Sequence, residues 1–154
     1  MTTIGKVALA FMFSVAMMGS ASAATDFSGT YQSVASKSSW SNGEFPKNFS
    51  LMIQVKFEGN KIVYHSVNAN SPAANLDYTA PLDGTVVPMT GNARFNQIRV
   101  KKIAPNELEI LEMRDGDVLV AAYWIFEKDG FVRRGVGKGA DGKSHEYEEY
   151  YTRQ

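Results

Sequence analysis

The sequence predicts an all-β protein, folded as a single antiparallel up-and-down β-barrel of eight to ten strands. Three observations predict this fold. Short runs rich in β-branched and aromatic residues recur along the chain, glycine-containing turns separate them at regular intervals, and no segment after residue 24 has a capped helical period. A sheet of that many twisted strands usually closes on itself, because closure removes unpaired edges. A two-sheet β-sandwich is the alternative.

The first element is a predicted secretion signal at residues 1–23, which precedes the barrel. A leader containing Lys6 is followed by an apolar run over 7–18 and by small residues up to Ala23. This run is too short to span a bilayer, which takes roughly 20 residues. We therefore expect cleavage after Ala23, with one domain at 24–154 in the bacterial periplasm or outside the cell and no membrane anchor.

Nine or ten strands then follow in order. Asp83-Gly84 and Asp115-Gly116 are typical of tight hairpin turns. Two segments, 33–48 and 68–75, are too long for hairpin turns, and we expect them to be lids over one mouth of the barrel. The predicted strands are 27–32, 49–57, 61–67, 76–82, 85–89, 97–103, 107–113, 118–127, 131–136 and 145–153.

Composition excludes several classes of site. The chain has no cysteine, so it has no disulfide scaffold, thiolate zinc site or cysteine nucleophile. Sixteen basic and sixteen acidic residues balance, and no concentrated basic stretch predicts a nucleic-acid partner. The two histidines lack metal-ligand spacing, and no nucleotide or cofactor motif occurs. We therefore predict neither a metal nor a cofactor.

Strand 131–136 carries two adjacent arginines on opposite faces. Because successive side chains of a strand alternate, one of Arg133 and Arg134 points into the barrel, and alternation leaves open which one. An arginine inside a protein needs partners, because its charge cannot be titrated away. Glu149 on the next strand is the expected partner, with Tyr147 adjacent, and the group would anchor an anion or a phenol. A surface ion pair across the hairpin is the alternative.

The two histidines are the candidates for proton transfer near neutral pH. Either Tyr64 or His65 faces inward, and His145 begins the last strand. If the protein is an enzyme, His65 or His145 would move a proton, and Arg133 or Arg134 would stabilise an oxyanion. Histidines that face solvent or pack in the core without a catalytic role are the alternative.

Aromatic residues make up 12% of the chain, and the strand at 118–126 is apolar on both faces. Such a strand lies under another layer or lines an apolar cavity, whereas ordinary aromatic core packing is the alternative. The candidate ligand-binding residues are aromatic or belong to the predicted arginine anchor: Trp40, Tyr64, Tyr123, Trp124, Arg133 and Tyr147.

Several short segments resemble those of a known family. Ser28-Gly29-Thr30-Tyr31 resembles the Gly-x-Trp opening of lipocalin-like proteins, whose first-strand aromatic packs under a basic residue of the last strand, here Tyr31 and Arg153. The whole chain after the signal is similar to small exported bacterial β-proteins of calycin type, a largely uncharacterised family. The resemblance implies the barrel fold. The chain departs from the usual family pattern at four places: Tyr31, residues 133–134, His145 and Tyr147. The other matching segments are 36–37, 78–84, 88–92, 128–130, 139–143 and 151–154.

These observations favour an exported barrel that binds a small hydrophobic or aromatic molecule in its cavity, since such sites are mostly apolar with a few placed polar groups. One alternative is a cofactor-independent lyase, isomerase or cyclase that acts on an aromatic or apolar substrate in the same cavity. A second alternative is an envelope protein whose outer apolar face docks a partner.

Overall fold

The computed structural model describes residues 26–139 and 141–154, which form eleven antiparallel strands curled into a nearly closed barrel. The predicted all-β class and barrel architecture are confirmed. The predicted signal at 1–23 lies outside the described residues. The strands are β1 (Gly29–Ser33), β2 (Ser39–Trp40), β3 (Leu51–Glu58), β4 (Lys61–Asn68), β5 (Leu76–Pro81), β6 (Asp83–Pro88), β7 (Gln97–Ala104), β8 (Glu107–Arg114), β9 (Asp117–Glu127), β10 (Gly130–Lys138) and β11 (Ser144–Arg153).

The sheet runs in the order β5-β4-β3-β1-β11-β10-β9-β8-β7-β6, with β2 paired to β11 beside this path. Tyr31 in β1 lies directly opposite Arg153 in β11, as the family resemblance implies. β5 and β6 are the two ends of this order, and the barrel closes at a seam between β5 and the segment that follows β6. There Asp77 and Thr90 exchange two backbone hydrogen bonds of 3.0 Å each. These bonds satisfy edge groups that would otherwise be unpaired.

One predicted hairpin is wrong. Asp83-Gly84 is predicted to join two paired strands, but β5 and β6 are the two ends of the sheet order. Gly84 lies inside β6 with a φ of 91°, at a bulge against β7. Asp115-Gly116 does form its predicted turn, between β8 and β9. Its φ values of 51° and 92° give the left-handed pair that a type I′ hairpin requires.

Aromatic side chains fill one end of the barrel. Phe126 and Phe131 pack with ring centroids 5.2 Å apart, and Tyr31 lies edge-on to Phe131 at 5.0 Å. Trp124 stacks on Phe131 at 5.0 Å, on the side facing the barrel centre. Each of these four side chains is almost fully buried. This end is therefore a packed core, and the space for a ligand lies towards the other end.

The two long segments lie at the open end, where β1 ends and β3 begins. Segment 33–48 contains a short 3-10 turn at Ala35–Lys37 and then β2, which pairs with Tyr147 and Glu148 of β11. Segment 68–75 contains a second 3-10 turn at Pro72–Ala74. In the part of the chain that the structure describes, no helix is long and apolar enough to cross a membrane.

Candidate functional site

The open half of the barrel encloses a cavity of about 540 Å³. This volume falls within the ~300–1,000 Å³ of most small-molecule sites. Both long segments contribute to its mouth, through Trp40 and Asn42 on one side and Ser71, Ala73 and Ala74 on the other. The wall is mainly apolar and aromatic, and it includes Phe49, Leu51, Tyr64, Leu76, Phe95, Val120 and Tyr147.

An aromatic trio closes the side wall between β2 and β3. Trp40 packs edge-on to Phe45 at 4.9 Å, and Phe45 packs edge-on to Phe49 at 5.1 Å. The indole Nε1–H of Trp40 donates to Glu149 Oε1 at 3.4 Å, which ties the trio to β11. Pairing of β2 with β11 therefore turns a residue of a long loop into a fixed part of the cavity wall.

A charged floor, formed by Glu112, Arg133 and Glu149, separates the cavity from the aromatic core. Arg133 Nη2 donates to Glu112 Oε1 at 2.7 Å, and Arg133 Nη1 donates to Glu149 Oε2 at 3.3 Å. The Tyr151 hydroxyl also donates to Glu149 Oε2, at 2.8 Å. The side chain of Arg133 is 15% exposed, that of Glu112 is 6% exposed and that of Glu149 is 7% exposed. The floor is thus a buried ion triad of one guanidinium and two carboxylates.

Arg133 remains charged in this position. Burial disfavours the charged guanidinium, but the Glu112 carboxylate, followed by Tyr147 and Glu149, holds the pKa of Arg133 above its ordinary value. The guanidinium also lies 5.0 Å above the ring of Tyr147, within cation–π range. The expected pairing of an inward arginine with Glu149, beside Tyr147, is therefore observed.

Two polar atoms of this region lack a protein partner. Among the residues that the structure describes, neither the Tyr147 hydroxyl nor Arg133 Nε makes a hydrogen bond, although both atoms are buried. Burial raises the pKa of Tyr147, so its hydroxyl is neutral and can donate. Native proteins pair nearly all such groups with protein, water or ligand. The Tyr147 side chain lines the cavity, but its hydroxyl is buried out of reach of the cavity and keeps no partner among the described residues.

The structure brings four predicted ligand-binding residues together on the cavity wall: Trp40, Tyr64, Arg133 and Tyr147. Tyr64 stacks on Tyr78 with centroids 4.7 Å apart, and burial raises the pKa of Tyr64 as well. The role of the four in binding stays a prediction. Their common location follows from strand alternation plus the closure of the barrel around β4, β10 and β11.

The other predicted residues lie elsewhere. Tyr123 does not line the cavity, because it alternates outward from Trp124 and is 44% exposed. Trp124 is buried in the aromatic core beneath the floor. Arg134 lies on the outer face, directly across from Tyr123 in the β9–β10 pair. Of the two arginines that alternation left open, Arg133 is the inward one.

Neither histidine reaches the charged floor. His65 lies on the outer face, half-exposed, and bonds through Nδ1 to Asp77 on β5. His145 lines the rim of the cavity, where its Nε2 lies 3.2 Å from Asp141 Oδ1. The backbone N–H of Lys143, and then His145, lower the pKa of Asp141. The structure thus separates both candidate proton-transfer groups from Arg133.

Glu112, which contributes the shorter ion pair of the floor, was not among the site residues predicted from the sequence. A usable indication was present, because Leu108, Ile110 and Glu112 share one face of the predicted strand 107–113. A glutamate on an otherwise apolar face implies a buried positive partner. Within residues 26–139 and 141–154, no group of three His, Asp or Glu side chains could hold a metal ion.

Solved structures with the same barrel are known. The chain is similar to zebrafish ileal bile acid-binding protein, crystallised with cholic acid, at a TM-score of 0.56 and 13% identity over 83% of this chain and 98% of that one. It is also similar to a variant of the fluorescent protein UnaG, at a TM-score of 0.55 and 14% identity over 82% of this chain and 95% of that one. These likenesses show that the chain shares the barrel fold of both proteins. No protein-family model and no curated protein sequence matches the chain.

Proposed function

We propose that this chain is an exported carrier, periplasmic or secreted, that binds a small hydrophobic or aromatic molecule inside its barrel. The observation that carries the proposal is the cavity of about 540 Å³, which has an aromatic wall above a charged floor. Sites of this kind combine a large apolar surface, which supplies affinity, with a few fixed polar groups, which supply orientation. Export rests on the signal-like segment at residues 1–23.

The neighbouring structures support binding. The zebrafish protein is named for binding bile acids and was crystallised with cholic acid, and it shares the calycin-type barrel with this chain. Because one fold serves many functions, this support is analogical, and the cavity itself is the stronger argument.

Binding is favoured over the cofactor-independent lyase, isomerase or cyclase. Proton transfer requires an acid or base within hydrogen-bond reach of the reacting group. His65 is on the outside and His145 is paired with Asp141 at the rim, so neither histidine adjoins Arg133. Arg134 is also outside, so it offers the cavity no oxyanion donor. The interaction-protein alternative would use the outer face of β9 and β10, where Val118, Tyr123 and Val136 are exposed.

The test is native mass spectrometry of the protein purified from its own host, followed by organic extraction of any bound molecule. A near-stoichiometric apolar or aromatic molecule is the expected result. Two variants locate it. Ala74→Trp places an indole in the cavity mouth, whereas Thr79→Trp places the same group on the outer face of β5. We expect the first variant to lose the molecule and the second to retain it.

Two outcomes would contradict the proposal. One is a protein that is empty after purification and also binds no member of a library of small aromatic and aliphatic molecules. The other is equal retention of a bound molecule by both tryptophan variants, because the molecule would then lie outside the cavity. An empty protein that captures partner proteins, in a manner abolished by Tyr123→Ser, would favour the interaction alternative instead.

A further inference from the structure

The charged floor contains more negative than positive charge. One guanidinium faces two carboxylates, which gives the triad a formal charge of −1. The Nη groups of Arg133 already donate to both carboxylates, and the face of the guanidinium lies against the Tyr147 ring. Its positive charge is therefore compensated from within the protein. An acidic ligand would meet two carboxylates around a guanidinium that is already paired.

The floor offers the cavity an acceptor rather than a donor, because the Nε–H of Arg133, which has no partner among the described residues, is buried out of reach of the cavity. An ionised carboxylate accepts hydrogen bonds and cannot donate them. Arg133 donates to only one oxygen of Glu112, Oε1, and the Glu112 side chain lines the cavity. Oε2 of Glu112 accepts no hydrogen bond from the described residues, so it can accept one from the occupant of the cavity.

Aromatic rings surround this acceptor site. Tyr64, Phe95 and Tyr147 lie on the wall, and the Trp40 indole is held by Glu149. Aromatic faces carry partial negative charge and attract cationic groups that lie over them. The wall and the floor thus select the same chemistry: a planar aromatic body that carries a cationic or donating nitrogen.

Two cationic side chains, Arg94 and Lys138, stand at the rim of the cavity. Both are exposed, and Arg94 donates to the backbone carbonyl of Lys138. Water and salt screen exposed charges much more than buried ones. The buried floor, rather than the rim, therefore decides which polar group can lie deep in the cavity.

We propose that the charged floor is a subsite for an amino or amidino group on a small aromatic ligand, and that it rejects carboxylates. The proposal rests on the proposed function, because it names the ligand class of the same cavity. Glu112 is the acceptor, and Glu149 adds negative charge. Arg133 keeps the two carboxylates in place rather than binding the ligand itself.

The test compares three probes of one shape on the unaltered protein by isothermal titration calorimetry at pH 7: naphthylmethylamine, naphthylmethanol and naphthoate. We expect the amine to bind about tenfold or more tightly than naphthoate, since the two differ in the sign of one charge near a buried negative triad. Equal or tighter binding of naphthoate would overturn the ligand class and leave the proposed function standing. If none of the three probes binds, the ligand class is overturned, and the proposed function is decided by the native mass spectrometry and the wider library.

A pair of variants assigns the effect to the floor. Glu112→Gln removes one negative charge from the triad, and Glu148→Gln removes the same charge from the outer face of β11, where Glu148 bonds to Tyr150. We expect Glu112→Gln to weaken the amine about fivefold or more and to leave naphthylmethanol within about twofold. Glu148→Gln should leave all three probes unchanged. Equal effects of the two variants would overturn the assignment to Glu112, and the probe comparison itself needs no variant to fold.

Discussion

The charged floor makes Arg133 the most consequential polar residue of the core, and its removal gives a quantitative test. Arg133→Met keeps a side chain of similar length but leaves Glu112 and Glu149 buried without their guanidinium. Both carboxylates are less than a tenth exposed, and the two bonds they lose measure 2.7 Å and 3.3 Å. Removing one partner of a buried ion pair typically costs about 3–5 kcal/mol. We expect a loss of about 4 kcal/mol in the free energy of unfolding, measured by urea denaturation.

A rescue variant separates charge from packing. In Arg133→Met/Glu112→Leu/Glu149→Gln the buried charges are gone, while the new amide at position 149 still offers an oxygen to the Tyr151 hydroxyl. Because well-packed uncharged side chains replace buried ion pairs at little cost, we expect recovery to within about 2 kcal/mol of the unaltered protein. Arg134→Met, on the exposed face of β10, is the matched control and should change stability by no more than about 0.5 kcal/mol. A loss below about 1 kcal/mol for Arg133→Met, or no recovery in the triple variant, would show that the buried carboxylates do not depend on Arg133 for their stability.

Three further predictions concern the tyrosines and the glycines. Burial raises the pKa of five tyrosines above the usual 10.0, so the unfolded state releases protons first as the pH rises. Stability should fall above pH 10 by up to about 1.4 kcal/mol per pH unit for each of them, and the phenolate absorbance of these five side chains should appear only as the protein unfolds. A smooth phenolate titration of all tyrosines in the folded protein would contradict this. Gly135→Ala should cost about 2–3 kcal/mol in urea denaturation, because its Cβ would overlap the Ala121 carbonyl oxygen. Gly137→Ala is the control and should not lower the free energy of unfolding, because its Cβ would lie 3.5 Å from the nearest side-chain atom. Equal losses of stability in the two variants would argue against the close approach of β9 to Gly135. Tyr147→Phe should leave the free energy of unfolding unchanged or raise it by at most about 1 kcal/mol, because the buried hydroxyl that it removes has no partner among the described residues. A clear loss of stability would show that this hydroxyl does have a hydrogen-bond partner. The five tyrosines are Tyr31, Tyr64, Tyr78, Tyr147 and Tyr151.

Much of the fold was predictable because it depends on local patterns. Alternation of apolar and polar side chains marks a strand with one buried face, and Asp115-Gly116 requires left-handed backbone that defines its hairpin. The same type of dipeptide gave a wrong prediction at Asp83-Gly84, where a glycine with positive φ forms a bulge in β6 and not a hairpin turn. A left-handed glycine fits either feature, and the difference depends on whether the flanking strands pair, which is a property of the whole sheet.

The candidate site was predictable only in part, because its members come from distant parts of the chain. The Arg133–Glu149 pair spans one hairpin and could be inferred from alternation. Trp40 reaches Glu149 across 109 residues through the pairing of β2 with β11, which local sequence does not indicate. Glu112 approaches Arg133 from β8, two strands away in the sheet order.

Local sequence was enough to predict strands of period two separated by glycine turns, since those properties belong to a few neighbouring residues, and this pattern favoured an antiparallel barrel over a sandwich. Local sequence also predicted that one of two adjacent arginines points inward. The folded protein was needed to identify that arginine as Arg133, because the choice of face depends on how β10 is curved between β9 and β11. The closure of the barrel likewise decided that one end is packed with aromatic rings and the other hollow. Cavity volume is the space left by side chains from many strands, and no short segment of sequence encodes it.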